Sequence, residues 1–338
     1  MKILITGGGG LLAGRLATYL SCNNKITILS RKKIDHLFNN ENISTHMCTS
    51  LENLNDNFLT HDIVIHASGP NYNECNNINL VKKYIEETKH LIDLSILNKS
   101  VQKFIFLSSI RAVGENLSGL VNENTIPQPA TNYGVLKKTI EKYLMSGAPK
   151  ANMAKIILRI TNGYGYPAYN LSEPGSGGWS ASCWSLIAMN VCKQAVLTNK
   201  IILKSDGSNF KDFVPIQFVM EVIGNIISDI NLRENQIFNI SSMISIEVID
   251  FIKEIILKLE EKLQKEIILQ VGEKEKGQAA TQFIIDNSKI QKFGYFPDTH
   301  EPTPDDELLK KGLTIARTKD EEINKLIAYC VENKSILK

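Results

Sequence analysis

TGGGGLLAG, residues 6–14, follows directly on the β-rich run KILIT that begins at Lys2 and opens an amphipathic stretch from Leu11 to Tyr19. Gly7, Gly10 and Ala13 fall in a GxxGxxA spacing. A glycine permits the sharp turn from strand to helix, the next lets backbone approach a pyrophosphate closely, and a small third residue lets helix and strand pack. The helix start at Leu11 and Leu12 then offers free N–H groups and the positive end of a dipole to phosphates. A bare glycine pattern is equally that of a flexible loop. The order strand, glycines, helix is what makes it a dinucleotide cradle.

Outward from this loop, short β-rich runs alternate with amphipathic stretches: KITILS at Lys25, DIVIHAS at Asp62, a helical Asn79 to Leu97, and KFIFLSS at Lys103. Such alternation implies βαβ units and a parallel sheet, and uninterrupted apolar strands such as IVI and FIF suit a sheet covered on both faces. A helix carrying Tyr133 to Leu144 follows, with Thr131 or Asn132 as candidate caps, and KIILRI at Lys155 continues the sheet. After Thr161 come the Gly/Pro-rich NGYGYP and EPGSGGW, a helical Ser182 to Ala195, IILK at Ile201, a turn at Asp206, and a solvated helix from Ile256. The fold expected is α/β, a Rossmann-type doubly wound parallel sheet with a smaller C-terminal substrate-binding lobe. Residues 1–160 with parts of 201–250 would form the dinucleotide-binding domain, and 161–200 with 251–338 the lobe.

The 338 residues, 43% of them apolar, can bury a large core. The six cysteines show neither CxxC pairs nor regular spacing, and no secretory segment precedes the run at Lys2, so a reducing, cytoplasmic setting is expected. No metal site is expected. A net charge of +2 with scattered lysines gives no electrostatic footprint for nucleic acid, and no apolar run reaches membrane-spanning length. Neither partner is expected.

The end of the second strand bears on the cofactor. An acid there would bind the adenosine ribose hydroxyls, as NAD requires, whereas this chain has Ser30-Arg31-Lys32, a hydroxyl and two cations suited to a 2′-phosphate. NADP(H) is favoured, with NAD(H) as the alternative. Tyr133 and Lys137 lie four apart on one helix face, and Ser109 lies at the end of FIFLSS. A tyrosine titrates near 10, so an adjacent ammonium and an oxidised nicotinamide would be needed to favour its phenolate. In a lysine-rich chain with ten tyrosines one YxxxK is expected by chance; the order glycine loop, HAS, SS, YxxxK gives this one its meaning.

With TGGGGLLAG, DIVIHASG, LSSIRAVGE, YGVLK, LRITNGYG, DGSNFKDFVPI, FNISS and DNSKIQKFGYFP in this order, the chain resembles the extended short-chain dehydrogenase/reductases, specifically the NAD-dependent epimerase/dehydratase family that modifies nucleotide sugars, over nearly its full length. The resemblance implies Ser109 as catalytic hydroxyl, Tyr133 as acid/base, and Lys137 as its electrostatic partner and ribose contact. It places Ala67 and Ser68 against the cofactor, with His66 a packed strand residue, and Ser50 and Leu51 near adenine, where the usual acid is replaced. Asn162 would meet the substrate phosphate. Lys211 stands where arginine is usual and supplies charge without the bidentate fork.

Ser109-Ile110-Arg111 replaces the Asp-Glu pair by which sugar 4,6-dehydratases resemble one another, which disfavours dehydration. Val113-Gly114 replaces an aromatic-glycine pair. Arg111 is a candidate substrate contact or a surface charge; Trp179 and Trp184 are candidate base-stacking or core residues. The leading expectation is an NADP(H)-dependent 4-ketoreductase of a nucleotide-diphosphate sugar. The alternatives are a 4-epimerase retaining NAD and a non-catalytic NADP-binding regulator. The resemblance also implies a homodimer.

Overall fold

The computed structural model describes residues 1–55, 60–146, 153–167, 184, 186–273, 281–297, 307–335 and 337, with side chains from residue 318 onward in the last helix. The expected run of elements is present: β1 (Lys2–Thr6), α1 (Leu11–Leu20), β2 (Lys25–Ser30), β3 (Ile43–Met47), β4 (Ile63–His66), α2 (Ile78–Leu97), β5 (Lys103–Ser109), β6 (Gly119–Val121), α3 (Asn132–Ser146), β7 (Ala154–Ile160) and β8 (Asn162–Tyr164). The second half holds α4 (Ile187–Thr198), β9 (Lys200–Ile202), β10 (Phe210–Pro215), α5 (Ile216–Ser228), β11 (Gln236–Ile240), β12 (Ser245–Glu247), α6 (Val248–Leu263), β13 (Ile268–Gln270), β14 (Phe283–Ile285), α7 (Ser288–Lys292) and α8 (Glu307–Glu332).

Among these, β3-β2-β1-β4-β5-β7-β11 form a seven-stranded sheet, every neighbouring pair parallel. The chain works outward from β1 in one direction, then returns to β4 and works outward in the other. This doubly wound order opens a crevice between the carboxyl ends of β1 and β4. Strands β4 and β7 are buried along their whole length, as a sheet covered on both faces requires. β3 is the exception: ISTHM is a half-exposed edge strand with no apolar run to announce it.

Among the described residues three smaller sheets accompany it: β12-β10-β8, β13-β9 and β14-β6. Of residues 201–250, α5 and β11 thus serve the main layers while β10 and β12 belong to the sheet that continues from β8. Two helix boundaries differ from the periodicity. α4 starts at Ile187, with Leu186 extended as its cap; Ser182, from which helix was expected, lies outside the described residues. α6 starts at Val248, well before Ile256, and stops where Gln264 turns left-handed at φ 54°. Among the described residues no helix is long and apolar enough to cross a membrane.

α8 is tied to the first helix. Arg15 of α1, buried, forms an ion pair with buried Glu322, donates at 3.2 Å to both the Tyr166 carbonyl and Gln217 Oε1, and lies 4.0 Å from the centre of the Tyr166 ring. Glu322 also accepts the Tyr166 N–H at 3.2 Å. Removing one partner of a buried pair strands the other charge. Glu322→Ala is therefore expected to lower unfolding stability by roughly 3–5 kcal/mol, measured by urea denaturation; a loss within error would deny the pair that role.

Candidate active site

The glycine loop is shaped by contacts with two other strands. Gly7 and Gly8 both donate to the Leu29 carbonyl of β2 at 3.0 Å, and Gly10 N–H closes the turn on the Gly7 carbonyl at 2.8 Å. Gly7 is left-handed at φ +84°, and a β-carbon there would lie 2.7 Å from Ser68 Cα. Gly8, outside the GxxGxxA spacing, is equally constrained, since a β-carbon there would overlap the Ile28 side chain. Gly10 caps α1 in extended conformation, and the first turn carries no acid. The N–H groups at Leu11, Leu12 and Ala13 thus start a helix with no intrahelical partner and nothing negative beside them, which fits a pyrophosphate.

Beneath the loop lies a buried polar cluster. His66 Nδ1 meets Thr6 Oγ1 at 2.9 Å, and its Nε2 meets Tyr84 OH at 3.0 Å and Thr88 Oγ1 at 3.1 Å. Tyr84 and Thr88 spend their hydroxyl protons on the carbonyls of Ser68 and Tyr84, at 2.6 and 2.8 Å. Their oxygens can then only accept from the ring, so His66 carries its proton on Nε2 and accepts from Thr6 on Nδ1. Ser68 N–H donates to Thr6 Oγ1 at 3.3 Å. Burial, with the Lys137 charge adding to it, drives His66 down to about 3. His66 is thus a neutral strut that holds Ser68 against Gly7. Ala67 and Ser68 are half-buried at the crevice.

At the end of β2 the buried Ser30 hydroxyl accepts the Lys32 N–H at 3.3 Å. Arg31 and Lys32 are exposed, and among the described residues neither side chain has a partner. Ser50 is committed elsewhere, donating to Glu87 at 2.7 Å, and Leu51 is buried.

Ser109 ends β5 and accepts the Arg111 N–H at 3.3 Å, starting a 3-10 turn over Ile110–Ala112. α3 delivers Tyr133 and Lys137. Thr131 caps it by accepting the Gly134 N–H at 3.2 Å, and Glu115 holds the cap, accepting from the Ala130 N–H at 2.8 Å and from the Thr131 hydroxyl. Gly134 lets the helix press on the turn, for a β-carbon there would overlap the Arg111 carbonyl. The Tyr133 phenol is pushed up to about 12 by burial and by the nearby Cys75 thiol, against the pull of a Ser109 hydrogen bond and the Arg111 charge. Lys137 Nζ donates to the Leu107 carbonyl at 3.0 Å and lies 5.7 Å from the Tyr133 ring centre. Burial lowers it to about 8, opposed by Cys75 and Glu141. The phenol is thus neutral here beside the ammonium, in line with the expectation that an oxidised nicotinamide is also needed to favour its phenolate.

Asn162 stands two residues beyond β7, whose end pairs with Ser109. Its amide donates to the Asp212 carbonyl at 2.8 Å. Lys211, half-buried, is on neighbouring β10, where Phe213 pairs with Asn162. Trp179 lies outside the described residues, and Trp184 is half-buried with the Lys193 ammonium 5.5 Å from its ring centre. The motifs do not reveal Tyr72, an exposed ring 6.3 Å from Tyr133, or the buried Glu141–Arg159 pair at 2.8 Å, to which Ser108 donates at 2.6 Å. Glu141 one turn after Lys137 was the available signal. Among the described residues no cluster of His, Cys, Asp and Glu could hold a metal ion.

A family model described as NAD dependent epimerase/dehydratase matches residues 3–241. The dTDP-D-glucose 4,6-dehydratase of Dictyostelium discoideum is 26% identical over 296 residues, 75% of this chain; the chain spans 61% of that relative's length. Among solved structures, UDP-glucuronic acid 4-epimerase from Bacillus cereus, in complex with UDP-glucuronic acid and NAD, superposes with TM-score 0.73 at 20% identity, covering 96% of this chain and 99% of that one. UDP-glucose 4-epimerase from Thermotoga maritima, with UDP-glucose, gives 0.70 at 21% identity, covering 99% and 100%.

Gly7→Ala is expected to cost more than about 1 kcal/mol through left-handed strain and to weaken dinucleotide binding, read by fluorescence titration; unchanged affinity would remove the cradle from its proposed role. His66 gives a second test. Its unfolded value is near 6.5 and its folded value about 3, so its contribution is complete above pH 6.5 and is lost at about 1.4 kcal/mol per pH unit below it. His66→Gln should flatten the acid limb of stability; parallel limbs would contradict the neutral strut.

Proposed function

This chain belongs to the NAD dependent epimerase/dehydratase family, and we propose that it is an NADP(H)-dependent 4-ketoreductase of a nucleotide-diphosphate sugar. Residues 1–160 with parts of 201–250 hold the dinucleotide, through Gly7, Gly10, Leu11, Leu12, Ala67 and Ser68. Residues 161–200 and 251–338 form the sugar side, where Asn162 and Lys211 face the diphosphate. A bound nicotinamide supplies hydride to the carbonyl carbon. Tyr133 protonates the developing alkoxide, Ser109 hydrogen-bonds the same oxygen, and the Lys137 ammonium stabilises the charge on both.

The observation that carries this reading is the end of β2, where Arg31 and Lys32 are exposed and, among the described residues, have no side-chain partners, and where Ser30-Arg31-Lys32 offers no carboxylate for a ribose diol. Asp35, the next acid, is paired with Lys33 at 3.6 Å.

The second reading is a 4-epimerase with tightly held NAD, favoured by the solved neighbours that contain NAD and UDP-sugars. Dehydration, the activity of the Dictyostelium relative, fits less well: Ile110 and Arg111 leave the loop after Ser109 without a carboxylate to take a proton.

Freshly purified protein should bind NADPH exchangeably and more tightly than NADH, and Arg31→Ala with Lys32→Ala should erase the difference. Tyr133→Phe should lower turnover of a nucleotide-linked 4-keto sugar by roughly 10²–10⁴-fold while leaving NADPH affinity unchanged. NAD released only on denaturation would make the epimerase the better reading.

A further inference from the structure

Of the tyrosine and phenylalanine rings among the described residues, Tyr19, Tyr72 and Phe293 are exposed, and Tyr72 is the most so at 54%. The other two are spent on packing: a β-carbon at Gly224 would stand 3.1 Å from the Tyr19 ring, and Phe293 meets the Phe238 ring edge-on at 5.2 Å. Among the described residues the Tyr72 ring has one aromatic neighbour, Tyr133, 6.3 Å away and tilted by 50°. Its backbone is held firmly. Residues 71–75 form a closed turn in which Asn71 Oδ1 accepts the Asn73 and Glu74 N–H groups at 2.9 and 3.0 Å, Glu74 accepts the Asn71 N–H at 2.8 Å, and the Cys75 N–H donates to the Asn71 carbonyl at 3.1 Å. This is the reciprocal pattern of a capping box. Cys75 anchors the turn, buried in the core cluster that also holds Leu136 and Ile140 of α3. The turn is thus fixed to the helix of Tyr133, while the ring that it carries is left in water.

Tyr133 packs against the same core, so a substrate reaches its hydroxyl from the solvent side, where Tyr72 stands. The cofactor's contacts lie earlier in the same loop, at Ala67 and Ser68, the second of them against Gly7. What comes to the outer side of Tyr133 is the sugar. A pyranose ring has faces of C–H bonds, with its hydroxyls around the rim. Those hydrogens carry partial positive charge and suit the negative face of an aromatic ring, which also removes their apolar area from water. A tyrosine supplies that area with only two side-chain torsions to freeze. A diphosphate, anionic and strongly hydrated, gains nothing from such a face.

We propose that Tyr72 is the platform on which the substrate's sugar ring rests while its reacting oxygen meets Tyr133, a contact with the sugar and with no other part of the ligand; this rests on the reading of Ser109, Tyr133 and Lys137 as the reacting centre. Calorimetry on the NADPH-loaded protein, or on the protein as purified where NAD is retained, tests it with UDP-glucose and dTDP-glucose and with UDP and dTDP as references. Tyr72→Ala is expected to weaken the sugar nucleotide that the wild type binds by about three- to tenfold, with Tyr72→Phe at wild-type affinity and UDP, dTDP and NADPH changed by less than about twofold in both. Unchanged sugar-nucleotide affinity in Tyr72→Ala overturns the proposal. So does an equal loss for the free diphosphate or for NADPH, since the ring would then cover the nucleotide or the nicotinamide, and so does a Tyr72→Phe variant as weak as Tyr72→Ala, since the hydroxyl would then make the contact. If the wild type binds neither sugar nucleotide, the nucleotide-sugar reading falls and this contact with it. Because binding is measured without turnover, failure of the Tyr133→Phe test with these affinities as expected would strike the reductase reading alone.

Discussion

The backbones leaving β1 and β4 touch, and the site is built on that contact. A β-carbon at Gly7 would stand 2.7 Å from Ser68 Cα, so the two chains meet at a distance only a glycine allows, before diverging to opposite faces of the sheet. The neutral His66 holds this approach from below, with each proton in its cluster assigned by the acceptors available. A charged ring would reverse one of those bonds, so burial keeps the cradle in a single arrangement.

The neighbouring strand works differently. Ser108 and Ser109 point to opposite sides of β5. Ser108 donates to Glu141, which is paired with Arg159; Ser109 lies beside Tyr133. Tyr133, Lys137 and Glu141 follow one another at four-residue steps along one face of α3. One helix thus carries the phenol, the ammonium and the carboxylate that helps to keep that ammonium charged.

Much of this was legible because strands buried on both faces are continuous apolar runs, and because a glycine loop, a strand-end serine and YxxxK each sit at an element boundary. β3 escapes that pattern because Ser44, His46 and Met47 are exposed at the edge of the sheet. Gly8 escapes it because its constraint comes from Ile28 and Ile34 on the next βα unit. Tyr72 and Arg159 have meaning only beside Tyr133 and Glu141, and no spacing rule links them. Burial, which raises the Tyr133 phenol, is a property of packing and so is not visible in the motif, whereas the adjacent lysine is.

The pairing of Arg15 with Glu322 joins residues 307 apart. During synthesis at roughly 5–20 residues per second, the α1 helix waits about 15–60 s for its partner carboxylate to be made. Until then Arg15 lacks the carboxylate that pairs with it in the finished fold. The arrival of α8, rather than completion of the sheet, is the event that supplies this partner.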